Sequence, residues 1–313
     1  MVKLAIVSPC YNEQDLLSQS SKKLLSVLDK LIKDKKISKN SFIVFVNDGS
    51  NDNSWEIIKS LHNKDSRVKG INLSYNSGHQ NALMAGMLSV ENKCDCAVTI
   101  DCDLQDDINA IQDMVDKFSK GCDVVYGVKT NRSADSFFKR TSAKIYYKFL
   151  KLLGIKTVYN HADFRLVSNK VIHTLSLYKE SALYLRGIIA SFNYRSDYVE
   201  DKIAPRLVGE SRYTKKKMFK LACDGVTSFS SRPLKIIFII GLIFVLVAII
   251  NGIDLVVSLI NNSSTPGWSQ LMLSIWFIGG ICLLSIGILG IYLGRIFSEV
   301  KNRPRFIVSE KIE

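Results

Sequence analysis

The segment Ile100-Asp101-Cys102-Asp103-Leu104-Gln105-Asp106 holds the densest set of chemically useful side chains in this sequence. Two carboxylates at i and i+2, closing an apolar run, can bracket a hard divalent cation. Magnesium and manganese favour oxygen ligands and commonly share one or two carboxylates with phosphate oxygens. A plain strand-to-helix turn accounts for the same stretch with Asp106 or Asp107 as the helix N-cap. The capping acids are then separate from the 101/103 pair, which is left without a structural task. Two other clusters are equally polar. Val46-Asn47-Asp48-Gly49-Ser50-Asn51-Asp52-Asn53-Ser54 fits either a turn capped by Asn51 or Asp52, or a site in which Asp48 meets a base or ribose. Pro9-Cys10-Tyr11-Asn12-Glu13 fits a helix entry, or an aromatic and a carboxylate framing a nucleobase.

The elements that must position these clusters alternate in type. Apolar runs at 3–8, 42–46, 68–73, 96–100 and 122–127 read as strands, and helical patterns cover 14–33, 52–63, 79–90 and 107–119. Short apolar strands separated by helices predict a mostly parallel α/β sheet covered on both faces. Ligands of such sheets collect at the carboxyl ends of strands, where all three clusters fall. No G-x-G-x-x-G follows the first strand and no phosphate-binding G-x-x-x-x-G-K-[ST] occurs, so nicotinamide and P-loop chemistry lose their support. The 48–56 stretch lacks the glycine that a calcium loop needs at its sixth position. His79, His161 and His173 have no mutual ligand spacing and are read as non-metal. Seven cysteines without a C-x-x-C pair fit a reduced compartment.

With 313 residues, 47% of them hydrophobic, the chain has ample apolar area and is not disordered. Its formal net charge of +13 is unevenly spread. Residues 202–235 hold nine Lys/Arg against two acids, and no base-reading module accompanies them, so nucleic acid is not expected. Beyond them, 236–253 and 255–294 carry no charge at all. About 20 apolar residues span a bilayer, so two transmembrane helices are expected, at 234–258 and 271–294. Arg232, Lys235, Arg295, Lys301, Arg303 and Arg305 flank them, while the connecting turn at 261–267 has no cation. Both chain ends are therefore expected in the cytoplasm. The domain reading is a cytoplasmic domain at 1–210, a basic amphipathic helix in the headgroup plane at 211–233, the hairpin at 234–294 and a basic cytoplasmic tail at 295–313. Gly290 and Gly294 have the spacing that permits close helix packing and, with it, a homo-oligomer.

P-x-Y-N-E at 9–13, V-N-D-G-S-x-D-x-S at 46–54 and D-x-D-L-Q-D at 101–106, in this order, resemble glycosyltransferase family two. These are inverting enzymes with the nucleotide-sugar-binding GT-A fold. Asn76-Ser77-Gly78 before Ala82, Arg132 and Arg140, Ala162-Asp163-Phe164-Arg165-Leu166 and Gly209-Glu210-Ser211-Arg212-Tyr213 narrow the resemblance. With the two spans they look like the polyprenyl-phosphate glycosyltransferases, the branch of dolichol-phosphate mannose synthase and bactoprenol glucosyltransferases. The resemblance covers about 1–300. Cys102 departs from it, since a small residue such as alanine is commoner there, and its side chain is expected to point away from a metal.

The resemblance implies transfer of a sugar from a nucleotide sugar to a membrane polyprenyl phosphate, for cell-envelope or glycan modification at a bacterial plasma membrane. It implies that Pro9, Tyr11, Glu13 and Asp48 hold the nucleoside, with Asp101 near the ribose and diphosphate. Asp103 and Gln105 would bind Mg²⁺ or Mn²⁺; Arg132, Lys139 and Arg140 would hold the acceptor phosphate. Arg206, Arg212 and Tyr213 would close over the diphosphate. Asp163, counted with Asp101 and Asp103 as catalytic, would lie near the sugar as a base or an orienting group. A phosphate is already anionic at pH 7, so such a reaction needs positioning and charge neutralisation more than a strong base. UDP is favoured over GDP by the resemblance; glucose, an N-acetylhexosamine or GDP-linked mannose all stay open. A processive polysaccharide synthase is the rival, but none of the tryptophans 55, 268 and 276 follows an arginine as its Q-x-x-R-W demands. A membrane-anchored nucleotide-binding scaffold without turnover is the non-enzymatic alternative.

Overall fold

The computed structural model of the protein describes residues 1–129, 161–180, 184–201 and 268–313, with Ile239, Ile240, Ile243 and Ile253 between them. Arg132, Lys139, Arg140, Arg206, Arg212, Tyr213, the 211–233 helix and nearly all of the first expected span lie outside the described residues. The chain forms two compact units, Met1–Met218 with Pro304–Glu313, and Phe219–Arg303.

The first unit contains β1 (Leu4–Cys10), α1 (Gln14–Lys33), β2 (Phe42–Asn47), α2 (Ser54–Lys64), β3 (Val68–Leu73), α3 (His79–Ser89), β4 (Cys96–Thr99), α4 (Ala110–Ser119) and β5 (Val124–Lys129). Then come β6 (His161–Ser168), α5 (Asn169–Ser176), α6 (Leu185–Ser191), β7 (Ser196–Asp201) and, from the end of the chain, β8 (Val308–Ile312). They form one sheet in the order β7-β5-β6-β4-β1-β2-β3-β8. β1 pairs in parallel with β2 and β4, β2 with β3, and β5 with β7. This is the expected α/β architecture. All seven residues of β1 are buried, because a central parallel strand has helices on both faces. Helix α1 lays Leu17, Leu24, Leu28 and Leu31 on that sheet at helical spacing. On the opposite face α3 approaches so closely that a Cβ on Gly86 would lie 2.3 Å from Val7 Cγ1.

Three strands fall outside the βαβ alternation. β6 enters antiparallel between β4 and β5, and β7 closes one edge. β8 corrects the expected cytoplasmic tail: residues 308–312 pair antiparallel with β3, Ile71 opposite Lys311 and Asn72 opposite Glu310. Without it, β3 would present a row of unpaired backbone groups. Side chains hold it there. Trp55 Nε1 donates to Glu310 Oε2 at 2.8 Å, Ser309 Oγ donates to the Asn72 carbonyl at 3.0 Å, and Lys93 pairs with Glu313.

In the second unit, α7 runs from Trp268 to Val300, 33 residues. Its apolar stretch Phe277–Val300 is long enough to cross a bilayer, and Phe277, Ile278, Leu289 and Leu293 are exposed. One candidate span is therefore present among the described residues, where two were expected; the helix continues past the expected end at 294.

The β8 clasp is testable. Trp55→Phe keeps most of the packing and removes the bond to Glu310, which is worth about 1 kcal/mol. The melting temperature of the protein should fall by roughly 2–4 °C. Glu310→Ala should give a similar fall, and an unchanged melting temperature in both variants would show that β8 is held by its backbone alone.

Candidate active site

The turns after β1 and β2 are fastened to each other. The Asn12 N–H donates to Ser50 Oγ at 2.9 Å and the Asn51 N–H to Asn12 Oδ1 at 2.9 Å. Glu13 N–H donates to Ser54 Oγ at 3.1 Å. Asp52 accepts from Gln14 N–H at 3.2 Å and from Ser54 N–H at 3.0 Å, so it ties two turns together rather than only starting α2. Asn12 reaches this geometry with a φ of 53°, a region that asparagine tolerates better than most residues. Pro9 is buried within β1, while Tyr11 and Glu13 are half-buried in the turn beyond it.

Asp48 follows β2 and is buried. Its Oδ1 accepts from Ser77 N–H at 2.7 Å and its Oδ2 from Gly78 N–H at 3.0 Å, which pins the loop leading into α3. Burial raises its carboxyl above the usual value, against the two backbone donors. Gly49 lies under the same loop with a φ of +61°, and a Cβ there would meet the Tyr75 carbonyl carbon at 2.4 Å. No other residue fits that crossing.

After β4, side chains alternate in and out. Cys102 and Leu104 are buried in the apolar core, and Asp101, Asp103 and Gln105 are partly exposed. Cys102 thus points away from the acids, as expected, and burial pushes its thiol up to about 12. Ser20 Oγ donates to the Cys102 carbonyl at 2.6 Å, securing the turn to α1. Leu104 has a φ of 47°, a strained conformation of the kind that clusters at functional sites. Asp101 is half-exposed, at 49% of its side chain, on a densely packed floor. That packing, together with the charges of Asp163 and Asp103, raises its carboxyl above the usual range.

Asp163, on β6, is the most heavily bonded group in the site. Its Oδ1 accepts from Arg165 Nη2 at 2.6 Å and Arg186 Nε at 3.2 Å. Its Oδ2 accepts from Arg186 Nη2 at 3.0 Å and Gln80 Nε2 at 3.2 Å, with His79 Nε2 at 3.4 Å. Burial opposes its charge, yet Arg186, His79 and Arg165 outweigh it and hold the carboxyl well below the usual range. Such a group is a poor proton acceptor, so of the two roles expected for Asp163 the geometry favours orientation. His79 Nε2 also lies 3.6 Å from Asp101 Oδ1. Burial disfavours the imidazolium, but Asp163 and Asp101 outweigh it and lift His79 to about 9.

The structure therefore brings Asp48, Asp101, Asp103 and Asp163 to one end of the sheet, with His79 between the last strand ends. Gln80 and Arg186 were not singled out from sequence. Arg186 is the lone charge in the apolar stretch 184–190, which is a signal that a buried partner awaits it. Among the described residues no three His, Cys, Asp or Glu side chains converge on a metal position. The donor set of the 101–105 turn still suits a hard cation. It offers oxygen ligands from Asp101, Asp103 and Gln105, the donor type that magnesium and manganese favour.

Asp106, expected as a helix cap, is instead a buried carboxyl 3.4 Å from Lys129 Nζ; Asn109 precedes α4 in its place. The fully buried Asp201 accepts the Asp107 N–H at 2.9 Å. Burial, then the proximity of Asp201 and Asp101, lifts Asp106 to about 7, against the pull of Lys129. Because the folded value lies above the unfolded one, the native state binds the extra proton between about pH 4 and 7. That contribution to stability is complete below about pH 4 and is lost as pH rises through 7. Asp106→Asn should remove about 2 kcal/mol of the pH dependence between pH 5 and 8, a few degrees in melting temperature. Parallel curves for the two proteins would place the proton elsewhere.

The glycosyl transferase family 2 model matches residues 5–176. An uncharacterized glycosyltransferase of Bacillus subtilis, YkoT, is 42% identical over 97% of this chain and 90% of its own length. The SfII prophage-derived bactoprenol glucosyl transferase of Shigella flexneri is 34% identical over 99% of this chain and 98% of its own. A prophage bactoprenol glucosyl transferase homolog of Escherichia coli is 34% identical over 98% of both. This chain belongs to glycosyltransferase family 2, in the branch that contains the bactoprenol glucosyl transferases, and is a glycosyltransferase.

Proposed function

We propose that the protein transfers a sugar from a nucleotide sugar, UDP-linked, to the phosphate of a membrane polyprenyl phosphate, with inversion at the anomeric carbon. The observation that carries this reading is similarity to bactoprenol glucosyl transferases over 99% of the chain, membrane helix included. The site chemistry agrees with it. Asp163 is saturated with donors and His79 is already protonated at pH 7, so neither is a base for a sugar hydroxyl. A phosphate acceptor needs none.

In this reading Pro9, Tyr11 and Glu13 frame the nucleoside, and Asp48 shapes the same pocket by holding the 77–78 backbone. Asp101 faces the ribose and diphosphate. Asp103 and Gln105 would hold Mg²⁺ or Mn²⁺, which supplies positive charge against the leaving nucleoside diphosphate. Asp163 orients His79 and Arg186 beside the sugar. Arg132, Lys139 and Arg140 receive the acceptor phosphate, and Arg206, Arg212 and Tyr213 cover the diphosphate.

The membrane hairpin has topological support. β8 shares a sheet with β1 to β7, so the chain between Asp201 and Val308 crosses the membrane an even number of times. In this reading α7 is one crossing, and the other is proposed from sequence alone for the uncharged stretch 236–253. Both chain ends then face the cytoplasm of a bacterial cell, the side on which the cations lie. Among the described residues nothing lies within 4 Å of a Cβ built at Gly290 or Gly294, and their spacing fits close packing against a second copy's helix in a homo-oligomer.

The deciding assay gives the full-length protein a panel of labelled nucleotide sugars, polyprenyl phosphate and Mg²⁺ or Mn²⁺. Label entering the organic phase only with lipid phosphate supports the proposal. Label in a long water-soluble polymer would sink it and favour the polysaccharide synthase. Asp103→Asn should leave the fold intact and reduce metal-dependent turnover by at least 100-fold; near-normal rates would move the metal to other ligands.

A further inference from the structure

We propose that Asp201 is a positioning residue for the metal site: it fixes the exit of the 101–107 turn, so that Asp103 and Gln105 keep the geometry that takes the divalent cation. The inference deepens the function proposed above and rests on it for the metal ligands.

The turn depends on outside support. Within it, the Leu104 N–H donates to the Asp101 carbonyl at 3.1 Å and the Gln105 N–H to Asp103 Oδ1 at 3.3 Å. The Leu104 φ of 47° is a conformation that persists only where the surrounding structure enforces it. Side chains from other elements grip the backbone at both ends. Ser20 of α1 holds the start, donating to the Cys102 carbonyl at 2.6 Å. Asp201 of β7 holds the exit, where its Oδ1 accepts the Asp107 N–H at 2.9 Å. Asp103 and Gln105 lie between these two points.

Packing alone would not place an acid at 201. Side chains of β7 alternate, with Val199 and Asp201 buried and Tyr198 and Glu200 exposed. Val199 joins the apolar core, whereas Asp201, two residues on, brings a carboxyl to a position with 0% exposure. Its Oδ2 is buried with no hydrogen-bond partner among the described residues, and the buried Asp106 carboxyl is near enough for the two charges to interact. Burying acids side by side costs stability, and an apolar side chain would avoid that cost. What an apolar residue would not supply is the acceptor for Asp107. The sheet adds to the case. Lys129 lies opposite Asp201 in the parallel pairing of β5 with β7, and its Nζ is 3.4 Å from Asp106 Oδ1. Two paired strand ends thus reach adjacent residues of the turn, and strands hold a site more firmly than loops do.

The test uses the full-length protein in detergent or nanodiscs, with Asp201→Ala and Asp201→Asn. Two quantities are read: Mn²⁺ binding in the presence of UDP, by electron paramagnetic resonance, and amide hydrogen exchange of the metal-free protein. Asp201→Ala should raise the Kd for Mn²⁺ about 10–100-fold. It should also speed exchange across 101–107 about tenfold, with β1 and β2 unchanged. Asp201→Asn keeps an oxygen for the Asp107 N–H and should stay within about threefold of wild type in both readouts. A lower melting temperature with wild-type Kd and wild-type exchange in the turn means that Asp201 serves stability alone, and overturns the proposal. So does a loss in Asp201→Asn equal to that in Asp201→Ala. Trp55→Phe loosens a remote part of the sheet and should leave the Kd unchanged; an equal rise there would make the effect one of general destabilisation and sink the positioning role. Should Asp201→Ala fail to fold, Asp201→Leu carries the same expectations, since it has the branched shape without the acceptor. If the wild-type protein binds no Mn²⁺, or Asp103→Asn binds it equally well, the metal assignment proposed above fails on its own. Exchange across 101–107 then decides Asp201, and equal exchange in wild type and Asp201→Ala overturns it.

Discussion

A carboxylate taken out of water costs several kcal/mol unless charges and donors replace the lost hydration. Asp163 imposes that constraint on the whole site. β6 carries it into the sheet beside β4, where Thr99 Oγ1 donates to the Asp163 carbonyl at 2.5 Å. Three elements then have to supply partners: Arg165 from β6 itself, Arg186 from α6, and His79 with Gln80 from the start of α3. None of these contacts is local in the helical or strand sense, apart from the Asp163–Arg165 pair on one strand face. The position of α6 relative to α3 is thus set by electrostatics as much as by packing. Loss of the Asp163 charge would leave Arg165 buried without its counter-ion.

The second cluster works on the same principle with weaker bonds. Asp48 spends its two oxygens on the backbone of Ser77 and Gly78, and Asp52 spends its own on Gln14 and Ser54. Much of the V-N-D-G-S-x-D-x-S stretch therefore builds the walls of the pocket. Ser50 and Ser54 accept from the turn after β1, and Gly49 lets the 75–76 backbone pass. A residue can be indispensable to a nucleotide site in this way without touching the nucleotide. The pocket walls are rigid before any ligand arrives, which is what positioning catalysis requires.

The first five strands and four helices were legible because a parallel strand buried on both faces writes a continuous apolar run, as β1 and β2 do. Helix starts were less legible. Asp52, Asp106 and Asp107 look like caps, yet the residues that precede α2 and α4 are Asn53 and Asn109, one to three positions later; Asp52 and Asp107 accept the N–H two residues on, and Asp106 faces Lys129. β6 and β7 carry Asp163, Arg165, Asp197, Asp201 and Glu200, so their composition hides them, and β8 is a charged edge strand whose partner is remote in sequence. Only the sheet itself reveals that Val308–Ile312 belongs beside β3. The same holds for the site. The i, i+2 spacing of Asp101 and Asp103 announces an oxygen-rich turn, whereas Gln80 and Arg186 enter through contacts that no spacing encodes.

Six aspartates show how one side chain acquires different work from its surroundings. Asp163 is held ionised by cations, Asp101 is lifted by burial and then by Asp163 and Asp103, and Asp106 is lifted to about 7 by burial next to Asp201. Asp48 and Asp52 are spent on backbone donors. Asp101 and Asp103 remain as the partly exposed acids of the 101–105 turn, with His79 between Asp101 and Asp163. An acidic turn beside a preorganised cationic wall is an arrangement that separates charge across a short distance. A reaction in which a nucleoside diphosphate departs while a second phosphate arrives demands that separation: oxygen ligands for a cation on one side, guanidinium and imidazolium donors on the other. Pairing of β4 with β6 sets Asp163 and Arg165 beside the acidic turn, and α3 and α6 bring His79 and Arg186 to the same carboxylate.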